Sequence, residues 1–232
     1  MSRAVHAGII DSGALSAQYP AIEEAAAFTI DGGQPRRGAA TPDVLGHGSA
    51  VLAIVRHLAP AARFRVAQVF HQHERTTAAQ VAAALDWLVA AGVDLVNLSL
   101  GLRENRAVLR VACHRAVRAG VVLCAAAPAR GAAVFPAAYD GVWRMTGDIR
   151  CGRNEITCLM TGQADFGAHV RPLPDAGAGG GASMGCAHMS GHVAALLARD
   201  DAPSRRDPEA RRIWLLRQLR ARASWHGPER HS

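Results

Sequence analysis

The residues whose types could perform chemistry together lie far apart in this sequence. Nucleophilic attack by a serine hydroxyl requires a base within hydrogen-bond reach and a carboxylate that fixes the base's tautomer and stabilises the imidazolium. Three places offer those groups. Asp11 follows a short apolar run, Val5 to Ile10, so its carboxylate can face a cleft at the end of a buried strand. His47 opens a helix in Gly46-His47-Gly48-Ser49, and Ser183 opens another in Gly181-Ala182-Ser183-Met184-Gly185. The unpaired backbone N–H groups at a helix N-terminus, that of Ser183 among them, can hold a developing oxyanion. Such a set would carry out acyl transfer through a covalent serine intermediate.

Positioning three such groups requires a scaffold that ends strands and starts helices at one edge. Short apolar runs alternate with longer helical patterns, the signature of a parallel sheet covered on both faces, so the expected class is α/β. Strands are expected at 5–10, 65–70, 94–100 and 121–127, with short extended pieces around 143–145 and 155–160. Helices are expected from about 48 to 58, from 77 to 91 with a Thr77 cap and a Gly92 stop, and from 106 to 119 before Gly120. Two more follow, at 183–199 and 208–223. The first of these is small and apolar on nearly every side and must be buried. Residues 20–46, rich in Gly, Pro and charge, are expected to be irregular.

Four segments, in order, resemble the subtilisin-like serine peptidases: Ile9-Ile10-Asp11-Ser12-Gly13, His47-Gly48-Ser49-Ala50-Val51, Val96-Asn97-Leu98-Ser99-Leu100-Gly101, and the run from Gly181 through Ser183 to Ser190-Gly191. The chain order Asp, His, Ser is also the family's. The resemblance implies a three-layer fold with a mostly parallel central sheet, as one domain over residues 1–224 with a polar tail at 225–232. It implies Ser183 as nucleophile, His47 as base and then acid, and Asp11 as its orienter. Leu98, Ser99, Leu100 and Gly101 would line one side of the substrate and Ala125, Ala126 and Ala127 the other, holding an extended peptide as an added strand. His188 matches a family position with a structural role.

The sequence also departs from the family. There, Ala-Ala-Ala is followed by Gly-Asn, and the Asn side chain donates to the oxyanion. Here Pro128-Ala129-Arg130 follows, so Ala129 stands at the Asn position and Arg130 beside it is the first candidate for a substitute donor. Three outcomes are open: a slow peptidase dedicated to one substrate, a site with another donor, or a non-catalytic peptide-binding pseudopeptidase. Ala182, Ala187 and Ser49-Ala50 replace the usual Thr, Pro and Thr-His. No pro-domain and no calcium loop are expected. These reductions point to a narrow task, by analogy removal of a leader from one precursor peptide or protein; quinohemoprotein amine dehydrogenase maturation is one such setting.

Bulk properties narrow the partners. All 26 basic residues are arginine, against 19 acidic ones, a net charge of +7. That charge is scattered, with its main concentration at 205–222 and no aromatic interleaving, so nucleic acid is not expected; an acidic peptide remains an option. The Gly-rich stretch 177–181 lacks the Lys-Ser/Thr of a phosphate loop. His71-Gln72-His73 lacks a third ligand, so no metal and no cofactor are expected. Five cysteines form no CxxC pair, and Cys186 reads as packing rather than as nucleophile. With no signal peptide and no apolar run of 18 residues, neither a membrane nor secretion is expected, and the cytoplasm is the expected location. Oligomeric state and cleavage preference are not written in the sequence.

Overall fold

The computed structural model describes residues 4–72, 75–173 and 180–229, so His73 and residues 177–179 of the glycine-rich stretch lie outside the described residues. Along the chain come β1 (His6–Asp11), a 3-10 turn (Ser16–Ala21), β2 (Ile22–Asp31), β3 (Gln34–Ala39), α1 (His47–Leu58), β4 (Arg63–Gln68) and α2 (Ala78–Ala90). Then follow β5 (Leu95–Leu98), α3 (Ala107–Arg118), β6 (Val122–Ala126), β7 (Trp143–Gly147), β8 (Ile156–Cys158) and β9 (Phe166–Ala168). Helices α4 (Ala182–Leu197) and α5 (Pro208–Arg222) and strand β10 (Trp225–His226) complete it.

One sheet orders these strands β10-β8-β9-β7-β6-β5-β1-β4-β2-β3. It is parallel except for the β2–β3 and β8–β9 pairs. Side chains alternate across it with the period of two that a strand imposes. Ala7 and Ile9 of β1 join Val51, Val55, Met189 and Val193 under α1 and α4. Ile10 joins Val96, Leu98, Leu85 and Leu109 under α2 and α3. The result is the three-layer α/β fold expected.

The region expected to be irregular contains the β2–β3 hairpin. Its turn is Gly32-Gly33, both with positive φ (55° and 78°), between Asp31 and Gln34 paired across the strands. That is the two-residue turn whose twist matches a hairpin, and it uses glycine because both positions need φ above zero. The strands look polar because β3 is a sheet edge: every residue of it is exposed or half-exposed. At the other edge, Trp225 and His226, expected in a frayed tail, pair in parallel with Thr157 and Cys158 of β8.

Helix α4 is buried on nearly all sides, as its small residues require. A Cβ on Gly191 would lie 2.7 Å from the Leu58 side chain, and one on Gly185 would lie 2.1 Å from the Thr146 carbonyl oxygen. Glycine therefore sets how closely α4 approaches α1 and the end of β7. Helix α5 is anchored by Arg211, which is 1% exposed; its guanidinium donates to the Gly120 and Pro203 carbonyls and pairs with Asp94 at 3.3 Å.

Buried histidines give this layer a pH dependence. His188 bonds the Arg171 carbonyl through Nε2 at 3.1 Å, while its Nδ1 and the Nε2 of His192 have no partner among the described residues. Burial lowers both pKa values from 6.5 to about 4, with the His188–His192 and Arg222 charges adding to the effect at His192. The folded state thus prefers neutral rings, and the unfolded chain takes up protons first. Their stabilising contribution is complete above about pH 6.5 and is lost as pH falls toward 4. A loss of about 2 kcal/mol per histidine is expected by pH 5. Urea midpoints at pH 7 and pH 5 should show it, and His192→Leu should shrink the difference by about half.

Candidate active site

Strand β1 lies between β4 and β5. The chain leaves β1 toward β4 by way of α1 and then reaches β5 by way of α2, on the opposite face of the sheet. The carboxyl ends of β1 and β5 therefore border the point where strand order reverses, which is where open α/β sheets place their ligand crevices. Asp11 is the last residue of β1, and Ser99 follows the last residue of β5.

Asp11 is fully buried. Its Oδ1 accepts the Ser12 N–H at 2.8 Å and lies 2.7 Å from His47 Nδ1. The His47 ring is 38% exposed, so its far side faces the cleft while its near side is held. Two neighbours fix the start of α1 beneath it. Ser12 Oγ accepts the Gly48 N–H at 2.8 Å. Asp43 accepts from the backbone of Leu45 and Gly46 through Oδ1, and from the Ser49 N–H and hydroxyl (2.6 Å) through Oδ2. Burial pushes the Asp43 pKa up, but the bonds from Ser49, Gly46 and Ser12 outweigh it, leaving the carboxyl below its usual value. Sequence reading did not single out Asp43. The signal was there in an acidic residue just ahead of a helix N-terminus, where orphan N–H groups need acceptors.

Gly48 cannot carry a side chain without moving α1: a Cβ would sit 2.5 Å from the Gly13 carbonyl oxygen and 2.8 Å from its nitrogen, both backbone atoms. Gly48→Ala is expected to cost about 1–3 kcal/mol as overpacking, lowering Tm by several degrees. The same displacement moves the His47 ring, so on a serine-peptidase reading of this cleft labelling by a fluorophosphonate should slow roughly tenfold.

Ser183 sits in the first turn of α4, behind Gly181, whose φ of 96° and position as N-cap turn the chain sharply into the helix. Ser183 and Ser99 are stitched together reciprocally: Ser183 Oγ donates to the Ser99 carbonyl at 3.1 Å, and Ser99 Oγ donates to the Ser183 carbonyl at 2.9 Å. Deeper in, Asn97 Nδ2 donates to Ser190 Oγ at 2.9 Å, which ties β5 to the next turns of α4. Cys186 is fully buried, and burial raises its thiol pKa well above the ordinary value, so it is a packing residue.

A cleft of about 500 Å³ joins Asp11, His47 and Ser99 to Phe70, Arg75, Thr76, Leu100 and Leu102. Of the expected substrate-lining residues, Leu98 pairs with Ala125 inside the sheet. Ala126 pairs with Met145, and the Ala127 N–H is used by the Met145 carbonyl. Leu100 and Gly101 continue beyond β5 until Leu102 bridges to Phe135. Ala129 and Arg130 are exposed in the loop after β6. Among the described residues no group of three or more His, Cys, Asp or Glu is arranged to hold a metal, and no helix is long and apolar enough to cross a membrane.

No family model matches the chain. It is 30% identical over 148 residues to the subtilisin-like protease het-Q2 of Podospora anserina, covering 60% of this chain and 39% of that one. It is 24% identical over 219 residues to subtilisin DY of Bacillus licheniformis, covering 84% and 77%. A cold-adapted subtilisin-like serine proteinase superposes with a TM-score of 0.70 at 18% identity, over 95% of this chain and 84% of that one. The chain has the subtilisin-like fold, and the curated proteins it resembles are subtilisin-like proteases. It spans between 27% and 39% of the length of three of its curated relatives. Two further protease structures share the fold. The protease domain of PatA superposes with a TM-score of 0.63 at 20% identity, covering 84% and 79%. The prenylagaramide maturation protease PagA gives 0.59 at 16% identity, covering 83% and 74%.

Proposed function

We propose that the protein is a serine endopeptidase in which Ser183, His47 and Asp11 act together. The observation that carries this reading is the 2.7 Å contact between Asp11 Oδ1 and His47 Nδ1 in a cleft whose opposite wall is tied to Ser183 through Ser99. Asp11 holds the Nδ1–H tautomer, which makes Nε2 the basic nitrogen. In the reaction the Ser183 hydroxyl gives up the Ser99 carbonyl, passes its proton to His47, and attacks the scissile carbonyl carbon. The imidazolium then protonates the leaving amine. Water, deprotonated by the same ring, releases the acyl group from Ser183. The N–H groups of the first turn of α4, which have no intrahelical acceptor, face the oxyanion.

Its substrate, on this reading, is one precursor peptide or protein from which a leader is removed in the cytoplasm. Likeness to the PatA protease domain and to the prenylagaramide maturation protease PagA supports that narrower role. The test is incubation of candidate precursors with the wild-type chain and with Ser183→Ala, followed by mass spectrometry. A single Ser183-dependent cut supports the reading. Fluorophosphonate labelling of Ser183 with no cut in any precursor removes the leader-processing part. Absence of both labelling and cutting, with peptide binding retained, leaves a pseudopeptidase.

A further inference from the structure

The groove that leads away from His47 carries arginines that no carboxylate pairs with among the described residues. Beyond the catalytic cleft lies a second cleft of about 500 Å³, and the two share Thr76 and Leu102. Arg75 lines the first and Arg103 the second; both are exposed, and neither has a carboxylate partner among the described residues. The acidic groups on the same walls are already engaged, Asp11 with His47 and Glu104 with Arg106.

Two further features favour an anion there. The first turns of α2 and α3 both open on the second cleft, and neither contains an acidic residue, so the positive ends of two helix dipoles meet across it. Between the arginines, Thr76 Oγ1 is buried without a hydrogen-bond partner among the described residues. A buried hydroxyl left unpaired costs free energy that a bound acceptor would recover.

We propose that this groove reads acidic side chains in the substrate: a carboxylate docks on Arg75 with the Thr76 hydroxyl as a second donor, and Arg103 takes an acidic residue further along the same segment. The inference rests on the peptidase reading of the adjacent cleft and names its substrate class, a peptide acidic along the stretch that follows Leu100 to Leu102. Charge-assisted hydrogen bonds of this kind make aspartate distinguishable from its uncharged isostere asparagine.

The experiment uses internally quenched octapeptides in which one position at a time is Asp, Asn or Lys, assayed with the wild-type chain, Arg75→Gln, Arg103→Gln and Thr76→Val. The readout is the ratio of kcat/KM for matched Asp and Asn peptides within each protein, so differences in active fraction cancel. For the wild type the ratio should reach about tenfold at one or two positions and shrink as salt rises. It should fall toward one at a single position in Arg75→Gln and at a different position in Arg103→Gln, with a smaller drop in Thr76→Val. A wild-type ratio of one at every position overturns the proposal, and so does a preference that survives in both arginine variants. Failure of the peptidase reading shows itself separately, as no cleavage and no fluorophosphonate labelling. The same Asp-to-Asn ratios are then read from dissociation constants by fluorescence anisotropy, under the same criteria.

Discussion

Ser183→Ala is expected to lower kcat about 10⁶-fold, the loss known when subtilisin's own nucleophile is removed, and to abolish fluorophosphonate labelling. The variant should still fold and still bind peptide. It loses the bond from Ser183 Oγ to the Ser99 carbonyl but keeps the reciprocal bond from Ser99 Oγ to the Ser183 carbonyl, which needs only backbone at position 183. The stability change should therefore stay near 1 kcal/mol, readable as a Tm shift of a few degrees. Cys186→Ala supplies the contrast. That thiol is fully buried, and its raised pKa keeps it protonated at neutral pH, so labelling should persist. A Ser183→Ala chain that retained half its hydrolytic activity would remove Ser183 from the chemistry.

The candidate site stands out in the sequence because its parts sit where element boundaries are sharply punctuated. Asp11 ends an apolar run, His47 lies between two glycines, and Ser183 follows a glycine that turns into a helix. Each boundary exists for a physical reason that the structure displays: Gly48 lets α1 press against Gly13, and Gly185 lets α4 press against Thr146. The parallel strands β1, β5 and β6 were legible for the related reason that burial on both faces leaves apolar runs, broken in β5 only by Asn97, whereas β4 alternates Arg63 and Arg65 with Phe64 and Val66. Sheet edges hid the rest. Strand β3 reads Gln-Pro-Arg-Arg-Gly-Ala because one side of it meets water, and β9 and β10 are three and two residues long, too short to show alternation. Asp43 is marked only by its place ahead of a helix N-terminus, because three of its four bonds are to backbone N–H groups, which every residue but proline carries, and the fourth is to the Ser49 hydroxyl.

Ala129→Asn is the complementary expectation, a gain rather than a loss. Ala129 is exposed in the loop that leaves β6, and the loop's start is fixed by the bond from the Ala127 N–H to the Met145 carbonyl. If Ala129 stands at the family's Asn position, as the resemblance implies, an amide there would add a side-chain donor to the N–H groups of the first turn of α4. One such donor is worth roughly 10²–10³ in kcat in subtilisin itself, so kcat should rise by about 10² with KM little changed, because the bond strengthens as charge develops on the oxygen. Arg130 decides how the gain is read. If Arg130 already donates there, Arg130→Ala should lower kcat in the parent chain, while the double variant Ala129→Asn, Arg130→Ala should recover it. If Arg130→Ala leaves kcat unchanged, the substitute-donor role is lost and the proposed mechanism rests on backbone donors alone. An unchanged kcat in Ala129→Asn, with kcat lowered in Arg130→Ala, would mean that the guanidinium fills the position so well that the amide adds nothing.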